Sequence, residues 1–115
     1  MTKYKDSGNL FARIPDKFTE EIFNTLFETD NLKIERIVSN GHCTDKDQWL
    51  EQDRDEWVFL IQGAAKLLFK QQSQTVNMKP GDYVFIKAYA KHRVERTDLK
   101  QKTIWLAVHG HSKKK

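Results

Sequence analysis

From Leu32 onward the chain runs in short segments rich in Val, Ile, Phe, Trp and Thr, separated by turn residues at the intervals of an all-β domain. The pattern predicts strands at about 32–38, 46–50, 55–62, 64–70, 74–79, 82–86, 92–97 and 102–109. Gly63 ends one strand, Gln71-Gln72-Ser73 closes a hairpin, Pro80-Gly81 fits the centre of a type II turn, and Asp98-Leu99-Lys100 leads into the last strand. Upstream, Phe18 to Phe27 carries helical signals. Thr19 can cap, Glu20 and Glu21 suit the first turn, and Ile22, Phe23, Leu26 and Phe27 form an apolar stripe.

Eight short strands with no second helical region imply a small sandwich or barrel of the jelly-roll type. At 115 residues one domain is expected. It divides into an N-terminal extension with a short helix (1–31), a barrel (32–110) and a basic tail (111–115). Three of the four net positive charges lie in Lys113, Lys114 and Lys115. The remaining charges alternate in sign and do not cluster with exposed aromatics, which argues against a nucleic-acid surface. The apolar runs Trp57-Val58-Phe59-Leu60-Ile61 and Ile104-Trp105-Leu106-Ala107-Val108 fall far short of the ~20 residues of a membrane helix. A single cysteine, Cys43, and the absence of a secretory pattern at the start make the cytoplasm the expected compartment.

Along strand 55–62, Glu56, Val58 and Leu60 share a face, so an otherwise apolar face begins with a carboxylate. Glu56 is therefore the first candidate for chemistry. Its spacing to Gly63, followed by Pro80-Gly81-Asp82-Tyr83-Val84-Phe85-Ile86 and His92, resembles the two signature motifs of the cupin superfamily, G-x5-H-x-H-x3,4-E-x6-G and G-x5-P-x-G-x2-H-x3-N. Gly41 lies upstream in the first motif region, Glu56 matches its glutamate and Gly63 its closing glycine; Gly81 and His92 match the second motif. The resemblance covers about Ile37 to His109 and is that of a small single-domain cupin with a degenerate metal-binding motif. It implies an all-β cupin-type barrel, a double-stranded β-helix of jelly-roll form, here preceded by the short helix. Trp49-Leu50-Glu51-Gln52 stands where the paired histidines would fall, Lys87 and Tyr89 replace the P-x-G residues, and Arg96 replaces the final Asn.

The resemblance implies a divalent metal, iron, manganese, nickel or zinc, at Glu56 and His92, with Gln52 or Glu51 as a further oxygen ligand. The alternative is a vestigial site in which Glu56 and His92 hydrogen-bond without metal. In a regular strand 92–97, His92, Val94 and Arg96 share a face, which places a guanidinium beside the pocket, either as an anchor for an anionic ligand or as the ion-pair partner of Glu56 or Glu51. His109 and His111, next to the lysine tail, are expected to be exposed. His42 and Cys43 alternate in direction and make a poor chelate. Trp49, Trp57 and Trp105, with Phe59, Phe69, Phe85 and Tyr83, are expected to be core residues, and any left uncovered suit a homodimer face, since cupins commonly pair through their sheets.

The expected function is a small cupin that binds a small polar or anionic ligand in the barrel at a degenerate metal site. One alternative is a metal-dependent dioxygenase or isomerase, with Glu56 or Glu51 as general base if no metal binds. The other is a metal-free sensor or interaction module.

Overall fold

A computed structural model describes residues 4–111. Eight antiparallel strands form two sheets: β1 (Ile22–Glu28), β2 (Leu32–Ser39), β3 (Asp55–Gln62), β4 (Ala65–Phe69), β5 (Gln74–Met78), β6 (Tyr83–Ile86), β7 (His92–Thr97) and β8 (Thr103–Gly110). The larger sheet has the order β1-β2-β8-β3-β6, and the smaller one β5-β4-β7. Between them packs a core of Val58, Leu60, Ala65, Leu67, Met78, Ile86, Trp105 and Ala107. These residues alternate with outward-facing neighbours along their strands, as a half-buried pleat requires.

Two expected elements differ. The segment read as a short helix extends instead as β1, which pairs with β2 from Ile22↔Val38 to Glu28↔Lys33. Ile22, Phe23, Thr25 and Phe27 favour a pleated surface as readily as a helix, and the open edge of β2 offers hydrogen bonds that outweigh a weak local preference. The carbonyl of Thr19 meets Nε2 of His42 at 2.8 Å, so the expected cap joins a loop-to-loop contact. β1 thus makes part of the expected extension an edge strand of the larger sheet. The stretch 46–50 forms no strand: Asp47 has φ of 69°, and Leu50 alone bridges to His92. The Trp49 ring instead carries Lys70 Nζ at 5.5 Å and the Arg93 guanidinium at 5.8 Å from its centroid. Of the expected tail only His111 is described; Lys113, Lys114 and Lys115 lie outside the described residues.

The outer face of β2 is covered by the N-terminal segment. Arg36 donates to the carbonyls of Leu10 and Ala12 and to Oδ1 of Asn24, which ties that segment across the sheet. Val38 and Ile104 on this face are buried as well, although their alternation turns them away from the main core.

The turns behave as their residues dictate. Gly81 has φ of 97° and Asp82 N donates to the carbonyl of Lys79 at 3.0 Å, the geometry of a type II turn with glycine third. Gly63 has φ of 90°, and a Cβ there would lie 2.8 Å from Cα of Thr103. Gly63→Ala therefore meets both a strained backbone and a backbone clash, and is expected to cost about 1–3 kcal/mol. Chemical denaturation checks this; an unchanged midpoint would contradict it.

Candidate functional site

The register of the larger sheet assembles the site. Across β2, β8 and β3 the inward rows read Lys33–His109–Glu56, then Glu35–Ala107–Val58, then Ile37–Trp105–Leu60. Ala107 is small, so the Glu35 side chain can lean over it toward His109. Its Oε1 lies 3.5 Å from Nε2 of His109, and Oε2 of Glu56 approaches the same nitrogen from the other side at 3.9 Å. All three residues are buried. They line a cavity of about 600 Å³ together with His92, Gln52 and the apolar side chains of Ile37, Val58, Leu67, Ile86, Val94 and Trp105.

Each polar group has a definable state. Burial pushes the Glu56 carboxyl above the ordinary glutamate value, against the opposing pull of His109, His92 and Gln52. Gln52 Nε2 donates to its Oε1 at 2.7 Å, leaving Oε2 turned toward His109. Glu35 is also pushed up by burial, but His109, Lys33 and Arg54 together outweigh that and hold it below the ordinary value. His92 Nδ1 lies 2.9 Å from the carbonyl of Ala90. A carbonyl only accepts, so Nδ1 carries the hydrogen, and in the neutral ring Nε2 keeps its lone pair. The backbone of His92 is pinned by reciprocal hydrogen bonds with Leu50.

The expected site residues are thus only partly brought together. Glu56, His92, Gln52 and Glu51 all line the cavity. Arg96 does not: it is exposed, on the far side of β7. Lys66 pairs with Arg96 while Leu67 pairs with Val94, so Glu95 is an extra residue, a β-bulge that breaks the shared face of His92, Val94 and Arg96. Thr97 turns inward in its place. His109, expected to be exposed, is only 5% accessible. Its alternation with Trp105 and Ala107 is the signal for this; Glu35 shares the parity of Ile37, but both faces of β2 are covered, so parity alone does not single it out. Trp105 does pack in the core, whereas Trp57, Tyr83 and Phe85 stand exposed on the outer face of β3 and β6.

The side chains do not fit the metal implied by the motif. Among the described residues no three His, Cys, Asp or Glu side chains group as a cation's ligands. Gln52 presents its amide nitrogen, a donor, to Glu56, where ligation would need its oxygen. Glu51 is exposed at the cavity wall.

A crystal structure of a Ralstonia eutropha protein named "putative mannose-6-phosphate isomerase" superposes with a TM-score of 0.90 at 40% identity, over 94% of this chain and 100% of that one. Cupin structures from Desulfitobacterium hafniense and Methanocaldococcus jannaschii, the second described as an RmlC-like cupin with a double-stranded β-helix, superpose at TM-scores of 0.70 and 0.65. The chain belongs to the cupin superfamily. The two named cupins are each 17% identical to it; the alignments cover 86% of this chain and 84% and 87% of theirs, and they speak for the fold alone. No protein-family model and no curated protein matches the chain. The cavity that Glu56 and His92 line from opposite sheets is also lined by Glu35 and His109, from the larger sheet.

The raised Glu56 sets a pH signature. The folded protein holds this proton more tightly than the unfolded chain, so the folded state binds more protons and stability falls as pH climbs from the ordinary glutamate range through the raised value. Glu56→Gln, which keeps an oxygen for Gln52, is expected to gain stability relative to the parent progressively over that window. Denaturant midpoints across pH 4 to 8 check this, and a constant difference would contradict it.

Proposed function

We propose that this cupin binds a small polar molecule in the cavity framed by Glu35, Glu56, His92 and His109. The observation that carries the reading is the cavity itself. At about 600 Å³ it has the size of small-molecule sites, roughly 300–1,000 Å³, with apolar walls and a few convergent polar groups. Arg96 takes no part, so the reading has no anion anchor from β7.

A cavity-filling substitution tests the reading. Val58→Phe adds volume to the wall at an expected cost of about 1–3 kcal/mol. In a thermal-shift screen, compounds that raise the melting temperature of the parent are expected to lose that effect in the folded variant. Equal responses in both would place binding elsewhere.

A second reading is favoured by the burial of Glu56 and by the isomerase name of the Ralstonia structure. A carboxyl whose hold on its proton is strengthened by burial is suited to take and return one, so the cavity can serve an isomerase with Glu56 as general base at Oε2. Loss of more than about 100-fold in turnover on Glu56→Gln, with substrate affinity retained, is the expected signature of that role.

We further propose that two copies pair through the outer face of β3 and β6. Trp57, Phe59, Tyr83 and Phe85 form a contiguous aromatic cluster there, with ring centroids 5.2–6.4 Å apart, and three of the four are exposed. Phe85→Glu is expected to shift the protein from dimer to monomer in sedimentation equilibrium. An unchanged mass would remove this face as the interface.

A further inference from the structure

The cavity and the chain as a whole differ in charge. The chain has 20 Lys and Arg against 16 Asp and Glu, a formal net charge of +4. The cavity lining reverses that balance: Glu21, Glu35, Asp45, Glu51 and Glu56 face a single guanidinium, that of Arg54, and no lysine. A cluster of carboxylates on a basic protein concentrates cations and repels anions near it. That alone would describe an acidic surface.

His109 adds a separate observation. It lines the same cavity, is 5% accessible, and neither ring nitrogen has a hydrogen-bond partner. Two of the donors around it are already committed. Gln52 gives its amide hydrogen to Glu56 Oε1, and Lys33 lies 3.7 Å from Glu35 Oε2. What remains are Oε1 of Glu35 and Oε2 of Glu56, at 3.5 and 3.9 Å from His109 Nε2, both beyond a normal hydrogen bond. His109 brings one ring N–H to this floor in either neutral tautomer, and two carboxylate oxygens stand beside it. The polar complement of those two oxygens is a group that brings several N–H donors and a positive charge.

On the reading that this cavity binds a small molecule, we propose that its ligand is a small organic cation, an amine on an apolar body, held by the carboxylates of Glu35 and Glu56. An ammonium group has three donors, which match the oxygens of Glu35 and Glu56. Charge-assisted hydrogen bonds to carboxylate supply the affinity. Ile37, Val58, Leu67 and Ile86 supply the apolar wall, and Trp105 adds an aromatic ring suited to a nearby cation. A phosphorylated sugar would bring its dianion into a lining with five carboxylates and one guanidinium, so the name of the Ralstonia structure does not transfer to the ligand class here.

Calorimetric titration of the full chain with three probes of one shape tests the proposal: cyclohexylamine, cyclohexanol and cyclohexanecarboxylate. The amine is expected to bind about tenfold or more tighter than the alcohol, and the carboxylate weaker than both. Raising salt to about 0.5 M is expected to weaken the amine and leave the alcohol nearly unchanged, a control that needs no variant. In Glu35→Gln the preference for amine over alcohol should collapse toward one. Alcohol or carboxylate binding as tightly as the amine, or an amine affinity indifferent to salt, would overturn the cation assignment and leave the small-molecule cavity standing. Binding of none of the three probes would overturn both.

Discussion

Glu35, His109 and Glu56 sit on three adjacent strands and all face the interior, so the sheet must be in one register for them to meet. A slip of one residue in β2 or β3 would turn a glutamate to the opposite face and leave the buried imidazole with one of its two carboxylates. Buried ionisable groups are tolerated when they compensate one another, and here a histidine between two carboxylates does so, with Lys33 and Arg54 close to Glu35. Ala107 is part of the same constraint. A larger side chain between Glu35 and Val58 would fill the space through which Glu35 reaches His109.

The same arrangement separates the two faces of the larger sheet by task. The inner face holds the polar row at one end and the hydrophobic core at the other, where Trp105 donates Nε1–H to Ser39 Oγ at 3.1 Å and Ser39 in turn meets Glu21. The outer face is covered at β2 by the N-terminal segment gripped by Arg36, and at β3 and β6 carries bare aromatic rings. A single alternation of residues thus sets the cavity on the inner face and the aromatic cluster on the outer one.

Much of this was legible in the chain. Seven of the strands, the type II turn at Pro80-Gly81, and the inward placement of Glu56 and His92 follow from alternation, turn chemistry and motif spacing. What escaped did so for identifiable reasons. In 18–27 the apolar spacing suits a helix stripe and a strand about equally, and only the unpaired edge of β2 decides between them. Arg96 was misplaced because a bulge leaves no composition signature: Glu95 looks like any polar strand residue, yet it reverses the parity of everything after it. His109 was hidden by its neighbours, since a histidine beside His111 and a lysine run reads as solvent-exposed while its parity with Trp105 says the reverse. Glu35 lies in a segment where both faces are covered, so alternation there does not distinguish inside from outside.

Placed in the cupin frame, the chain keeps the barrel and the glutamate and histidine of its two motifs, and sets Glu35 and His109 beside that glutamate. The account stands or falls on whether Glu35 and His109 act as a unit. A double-mutant cycle on stability, with Glu35→Gln, His109→Gln and the two combined, measures that directly. A coupling of about 1 kcal/mol or more is predicted at neutral pH. Additivity to within about 0.3–0.5 kcal/mol would mean that the two side chains are independent, and would contradict it.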